Sequence, residues 1–422
     1  MLTETAFAAY IKRKFDAKYI DNSMTSRTSP SFKAVTKSTD GGGDFLTYLE
    51  DDDDDFGASA DFTVSQNQAI NTSPTIGNQY QFPWMPAYEV AQLTTAVINK
   101  TRNNDSAWQS AISVKMKKKL AAMAHFNGVL FQGQGWGEVC QLAGVSGSTF
   151  TVANRVTGNL SDAPKIVQGM PLVFSSTLNT AVLRSATIRT VLSVDYTSGL
   201  VTLDGTLAGV SAVNGDFAFL AGCRQNSATP TRLVWIGMDA HIPDRQSAIS
   251  DATVITLGGV NRSTNPRTYG TYFDASSGGS LLGAIINGVQ ESSTIGGATH
   301  LELFCSRANF AAFALDMQNA VRYDGDTKER VVGNAKRVHF YSDGTCDAYL
   351  NVDKLTNDLQ VWGFDPANVV FRSIGDAPMI DNFGDKNQMG RVSNAAAWEI
   401  RLFQQAALKI SNHPACLRIR AA

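Results

Sequence analysis

Residues 108–130 carry one apolar stripe that constrains the fold more than any other feature of this chain. Trp108, Ile112, Met116, Leu120, Met123, Phe126 and Leu130 recur at steps of three or four. That period belongs to an α-helix with one buried face. A helix of this extent is roughly 35–40 Å long at ~1.5 Å per residue. Asn103-Asn104-Asp105 offers its N-cap, and the glycines of GQGWG (133–137) close it. Just upstream, Val90, Leu93, Val97 and Ile98 fall on one face of a first helical piece. Residues 86–131 therefore read as a two-part helical region.

The helical period then stops. Short β-type runs follow at 149–152, 171–174, 186–194, 200–203 and 216–220, with a hairpin loop at 195–199. Strands at this spacing suggest a small β-barrel or sandwich of their own. Helical spacing resumes only near residue 280, so 144–222 reads as an insertion. Helices are expected at 281–289, stopped by Gly296-Gly297, and at 307–320, with a strand at 300–305 between them. VHFYSDG (338–344) and CDAYLNV (346–352) read as strand–turn–strand. Alternation at Ile400, Leu402, Leu408 and Ile410 favours one long strand for the last segment, with a strand followed by a helix as the alternative.

The first 80 residues are poorer in anchors. Phe7, Tyr10, Ile11 and Phe15 suggest a short amphipathic helix leading into a polar arm. Residues 31–80 are loop-rich, with GGG at 41–43 and Val64 and Ile70 isolated. So few apolar anchors cannot bury so long a segment. A two-stranded arm lying on another surface is expected.

Composition excludes several classes. The 422 residues suggest about three domains. The net charge is −2 and charged residues make up 18%, with 43% hydrophobic. A disordered chain would be less apolar and more charged. A dedicated nucleic-acid binder would carry a basic excess. No run of ~20 apolar residues offers a membrane span. The first 20 residues mix charged and apolar types, unlike a secretory leader, so a cytosolic chain is expected. The five cysteines are scattered without a CxxC pair and read as reduced core residues.

A search for chemistry finds no constellation. His125, His241, His300, His339 and His413 are single and far apart in sequence. GQGWGEV (133–139) is neither a phosphate-binding loop nor a dinucleotide fingerprint. No catalytic residue, cofactor or metal site is expected. The acidic run Glu50, Asp51, Asp52, Asp53, Asp54 and Asp55 reads as a solvated tip, a contact with a neighbouring subunit, or a cation site. It lacks the alternating ligands and glycine bend of a calcium loop. Lys115, Lys117, Lys118 and Lys119 form a basic cluster on the long helix. They read as a solvated face with apolar stems laid down, or as a surface for packaged DNA or an acidic partner.

The order of these pieces resembles the major capsid proteins of tailed bacteriophages, with the Hong Kong 97-type fold. YIKRKFDAKYI through GGGDFLTYLE to FGASADF is similar to that family's N-terminal arm and extended loop. Residues 85–137 resemble its spine-helix region, and 144–222 the β-rich insertion many relatives carry. GDFAF (215–219), LVWIGMDAHIP (233–243) and GGVNRSTNPRTYGTY (258–272) resemble the return to the main body. Asn261-Arg262-Ser263 and Pro266 stand where many relatives carry Asp-Arg-Ser and Pro. LLGAIINGVQ and SRANFAAFALDM resemble the axial helices. SIGDAP (373–378) and WEIRLFQQAALKISNHPACLRI (398–419) resemble the closing strands.

The resemblance implies an α+β fold with seven parts. These are an N-terminal arm (1–30), an extended β-hairpin loop (31–80), a peripheral domain with the spine helix (81–138) and a β-rich insertion (139–225). A return to the peripheral domain (226–273), an axial domain (274–375) and closing strands (376–422) complete it. It implies a non-enzymatic shell protein of the virion that forms hexamers and pentamers around double-stranded DNA. A portal protein, a separate scaffolding protein and a decoration or cement protein are the implied partners, with no membrane. Glu50 to Asp55 would then contact a neighbouring subunit, and the four lysines would face DNA. Some relatives crosslink a loop lysine to a neighbour's asparagine; Lys33 and Lys37 lie at the loop base, but no motif pairs them with an asparagine and an activating carboxylate. An encapsulin-type compartment shell, or a β-rich hydrolase or carbohydrate-binding protein, are the alternatives.

Overall fold

The longest helix, Asp105–Phe131, has 27 residues and begins where the Asn-Asn-Asp break places it. It belongs to a computed structural model of the chain. That structure describes residues 29–51, 60–71, 77–96, 105–153, 160–179, 182–227, 230–243, 255–264, 268–275, 280–320, 337–342, 346–380, 390–392 and 395–420. The helix expected within 1–30, residues 97–104 and Pro266 lie outside them. So do the side chains of Trp108 and Ile112.

In chain order the strands are β1 (Thr36–Ser38), β2 (Phe45–Asp51), β3 (Gly77–Pro83), β4 (Met85–Thr94), β5 (Glu138–Ser146), β6 (Thr149–Ala153), β7 (Pro171–Ser175) and β8 (Arg189–Asp195). Then come β9 (Leu200–Leu203), β10 (Phe217–Leu220), β11 (Thr256–Leu257), β12 (Val260–Asn261), β13 (Thr271–Asp274), β14 (His300–Cys305) and β15 (Arg337–Ser342). The last are β16 (Cys346–Val352), β17 (Gln360–Phe364), β18 (Val369–Ser373), β19 (Met379–Ile380), β20 (Gly390–Arg391), β21 (Ala397–Ile410) and β22 (Leu417–Arg420).

One sheet is organised by β21, a single 14-residue strand, as the closing alternation predicts. Its first part pairs with β4 from Ala397↔Thr94 to Ala406↔Met85, and its last part with β18. The expected helix over 86–98 is therefore corrected to a strand for 85–94. Val90 and Leu93 fit a helical spacing, but Ala87, Ala91 and Leu93 also alternate, and these three are buried. Ten paired positions on β21 decide between the two periods, because strand preference is set by packing context.

The long helix packs on this sheet by its C-terminal half. Ala121, Met123, His125, Asn127 and 128–131 are all buried. Leu120 is exposed, so the expected buried stripe is interrupted there; Met123 and Leu130 beyond it are buried. Asn127 and Gln404 exchange two side-chain hydrogen bonds (3.1 and 2.7 Å) between helix and sheet. Asn127→Ala leaves a buried amide unpaired and is expected to cost about 1–3 kcal/mol. A urea unfolding midpoint unchanged by this substitution would contradict that account.

Six strands, β10-β5-β6-β9-β8-β7, close into a barrel. The expected runs all appear, with β5 added ahead of them. Gly199 N–H donates to the Asp195 carbonyl (2.8 Å) in the expected β8–β9 turn. The other large sheet runs β13-β22-β17-β14-β16-β15. The helix Leu281–Gly296 packs on it and extends past the expected end at 289, closing at Gly297 with φ 63°. Buried Ser292 holds that extension by donating to the Ala415 carbonyl (3.0 Å). The helix Arg307–Ala320 matches its expectation. All five cysteines are buried free thiols.

The loop-rich segment contains the expected two strands: β2 and β3 pair from Phe45↔Pro83 to Asp51↔Gly77. It also contains an unforeseen helix, Phe62–Asn71, which takes in Val64 and Ile70.

Candidate assembly site

The β2–β3 hairpin has two unlike faces. Leu46, Tyr48 and Glu50 alternate inward on β2, and Tyr80 and Phe82 on β3. Tyr48 stacks on Tyr80 at 5.2 Å between ring centroids. The inward rings rest on Ala240, Leu257, Val260 and Ala407, forming a small core of their own. Gly258 gives them room: a Cβ there would lie 2.9 Å from the Phe82 ring, and its φ is +56°. The Gln81 N–H donates to the Gly258 carbonyl (2.8 Å). The other face carries Phe45 and Leu49, 52% and 72% exposed.

Glu50 is buried at the end of this inward row. Its carboxylate accepts the His413 backbone N–H (2.9 Å) and the His413 ring at Nδ1 (2.8 Å). His413 Nε2 lies 3.1 Å from His241 Nδ1, and both rings are fully buried. Burial, then the neighbouring His413 and the Arg262 and Arg232 guanidiniums, holds the His241 imidazole well below the usual histidine range. Arg262 is also buried and donates to the Ala240 and His241 carbonyls (2.8 and 2.7 Å), 4.3 Å from the Tyr269 ring centroid. Burial pushes its guanidinium down to about 10.

This corrects one expectation. Glu50 is not a solvated tip: it is buried and tied within its own chain. Its signal was available in the alternation of FLTYLE, which aims residues 46, 48 and 50 the same way. The side chain of Asp51, and residues 52–55, lie outside the described set. His241 and His413 are not isolated either: the fold joins them across 172 residues.

The lysine cluster is divided. Lys119 pairs with Glu89 of β4, so this charge is answered within the chain. Lys115 is half-buried, and burial, then Lys119 and Lys118, lowers its ammonium below the usual lysine range. Lys117 is exposed. Among the described residues no group of three or more His, Cys, Asp or Glu could hold a metal. No helix among them is long and apolar enough to cross a membrane.

No protein-family profile matches this sequence, and no curated protein matches it. A solved structure titled as the cyanophage A-1(L) capsid asymmetric unit aligns with 99% of this chain and 98% of its own. The TM-score is 0.53 at 10% identity. The chain has the Hong Kong 97-type capsid fold. Two other capsid-fold structures align over similar lengths at lower scores. The capsid of an empty GTA particle gives a TM-score of 0.43 at 9% identity, with 100% and 98% covered. Mycobacterium phage Bobi gives 0.42 at 10% identity, with 100% and 99% covered.

Within this capsid fold, Asn261-Arg262-Ser263 forms a local turn. Asn261 Oδ1 accepts from the Ser263 N–H (3.1 Å) and hydroxyl (2.8 Å), which frees Arg262 to point inward. A salt bridge from position 261 is not needed to hold that arginine. Among the described residues, the apolar side chains left open in the isolated chain include two faces near this site. One is the outward side of the hairpin. The other lies on β4 and β21, where exposed Tyr88 meets Phe403 at 4.9 Å.

Proposed function

We propose that this chain is the major capsid protein of a tailed-phage type particle, self-assembling into hexamers and pentamers that form an icosahedral head around double-stranded DNA. The observation that carries the reading is the likeness of fold over nearly the whole of both chains. The seven-part division from arm (1–30) to closing strands (376–422) is adopted with it. The role is structural and not enzymatic, and the protein resides in the virion shell. Portal, scaffolding and decoration proteins are its partners in this reading.

The open apolar faces support self-assembly. Large exposed apolar residues on a hairpin with one satisfied face mark interaction surface. The hairpin of one subunit lies over the β4–β21 sheet of the next, bringing Phe45 and Leu49 toward Tyr88 and Phe403. Asp51 to Asp55 lie beyond the fastened root and contact the neighbour. Lys115, Lys117 and Lys118 face the interior and meet DNA weakly, with a salt-sensitive grip.

Electron cryo-microscopy of the expressed full chain tests this directly. Closed shells are expected, and a monomer that stays soluble under assembly conditions would overturn the reading. Particles filled with a cargo enzyme instead of DNA would reassign it to a compartment shell. Leu49→Glu is expected to leave the monomer folded and to cut shell yield about tenfold or more, since a charge on a buried contact goes unpaired. Yield by sedimentation, with circular dichroism as the folding control, decides that point.

A further inference from the structure

The buried Glu50–His413–His241 row is not needed to explain the capsid fold, and its proton order is unusually determined. A carboxylate only accepts, so His413 must donate from Nδ1 to Glu50. Its Nε2 is then bare and accepts from His241 Nδ1, 3.1 Å away. His241 Nε2 is left as a bare acceptor, fully buried and without a hydrogen-bond partner among the described residues.

A proton added to either imidazole creates a donor at one and the same position. On His241 it sits at Nε2, creating a buried cation whose N–H meets no acceptor. On His413 it sits at Nε2, where two N–H groups would face each other unless the His241 proton moves to its own Nε2. Both routes put a donor at the same unpartnered position. The native state therefore resists the proton, and a state with the row pulled apart accepts it.

We propose that Glu50, His413 and His241 form a proton-operated latch, fastening the root of the β2–β3 hairpin to the closing segment of its own chain and releasing it on acidification. The geometry makes the row the hairpin's polar anchor. Glu50 is the last inward side chain of β2 before the loop. Tyr80 lies 5.2 Å from the His413 ring and Phe82 5.5 Å from the His241 ring. Loss of the two imidazoles' positions removes the seat of both rings.

The surrounding groups leave His241 as the responsive element. Tyr48 of β2 is pushed well above the usual tyrosine range by burial and the Glu50 charge. Cys416 is pushed up by burial, then by Glu50 and Asp365. Asp239, on the same short helix as His241, is paired with Arg418. Arg262 and Arg232 add positive charge facing His241. A histidine held below its unfolded value stabilises above that value, near pH 6.5, and loses that contribution as the pH falls below it. Release on acidification has the required sign.

Hydrogen exchange of the full chain at about pH 7.5 and about pH 5, corrected for intrinsic rates, tests the latch. Amides of 45–51 and 77–83 are compared with those of the barrel strands. In the wild type, hairpin protection is expected to fall about tenfold in acid while the barrel holds, the change expected of one pH unit of linkage. His241→Gln can donate to His413 Nε2 without titrating, and its hairpin should stay protected at both pH values. Glu50→Gln removes the charge and should leave the hairpin weakly protected at both. Equal wild-type protection at the two pH values overturns the latch, as does release in step with the barrel. Acid release persisting in His241→Gln also overturns it. Should His241→Gln fail to fold, Glu50→Gln decides: a hairpin that still tightens about tenfold from acid to neutral removes the row from the mechanism. The measurement uses soluble chain, so absence of shells would sink the capsid reading and leave this test intact.

Discussion

Asp239→Ala is expected to destabilise the chain by about 3–5 kcal/mol, enough to abolish folded protein at ordinary temperature if the starting stability is typical. Asp239 lies in the short helix Met238–His241, and Arg418 lies on β22. Their charged atoms are 2.7 Å apart, with side chains 1% and 2% exposed. The guanidinium also donates to the Ile242 carbonyl (3.1 Å) and lies 4.8 Å from the ring centroid of Trp362, its cross-strand neighbour on β17. Removing the carboxylate strands a cation in the interior. Its desolvation is no longer answered, and the penalty exceeds the net worth of the original pair. Asp239→Leu combined with Arg418→Met removes both charges and should recover most of the loss. Guanidinium-free denaturation, with urea, should show the single variant's midpoint far below that of the double. A single variant within about 1 kcal/mol of wild type would mean the pair is not what joins these segments. Salt should change little, because the pair is out of reach of solvent screening.

The pair and the histidine row share one segment. Residues 238–242 supply His241 to the hairpin root and Asp239 to β22, so two neighbouring side chains tie the hairpin, the first sheet and the second sheet together. This is why the latch can loosen the hairpin without loosening the body. The Asp239–Arg418 pair and the Arg262 hydrogen bonds hold the segment from the other side. Acid acts on the His241 imidazole and leaves guanidiniums charged.

Much of the architecture was legible where a segment carries one period only. The barrel strands and the 300–305 strand are short β-type runs with no competing helical stripe, and the closing strand alternates at both of its ends. The long helix shows an unmixed helical stripe, yet the exposure of Leu120 was invisible, because a stripe does not say how far its partner sheet extends. Residues 85–94 were misread because AYEVAQLT satisfies two periods at once. The deciding partner is β21, about 300 positions away, and no local pattern reports it. Glu50 was hidden by its company: five aspartates follow it, and the charge run outweighed the alternation that aims it inward. The histidine pair was hidden by distance along the chain. Single polar residues become a site only when long-range pairing brings them together, and composition carries no trace of that.

The segment around residue 237 offers a second large effect, of a different kind. Gly237 crosses the C-terminal end of the long helix. A Cβ there would lie 2.1 Å from the Leu130 carbonyl oxygen and 2.6 Å from those of Phe131 and Gly133. The last carbonyls of a helix have no partners inside it, and here backbone closes over them. The glycine is required for space and not for conformation, since its φ is −97°, open to any residue. Gly237→Ala must therefore push the returning chain off the helix end. That displaces Trp235, which packs at 6.1 Å from Phe32 and 5.4 Å from Phe371, and it displaces Asp239 and His241 two and four residues later. Backbone contacts cannot yield as a side-chain tip can, so the expected cost is about 3 kcal/mol or more, at the upper end of overpacking effects. Gly42→Ala is the control: nothing lies within 4 Å of its Cβ position, and it should stay within about 0.5 kcal/mol of wild type. Thermal unfolding of the two variants side by side should separate them widely. Equal stability would mean that the helix end is not closed by this chain crossing, and that the His241–Asp239 segment is positioned from β22 alone.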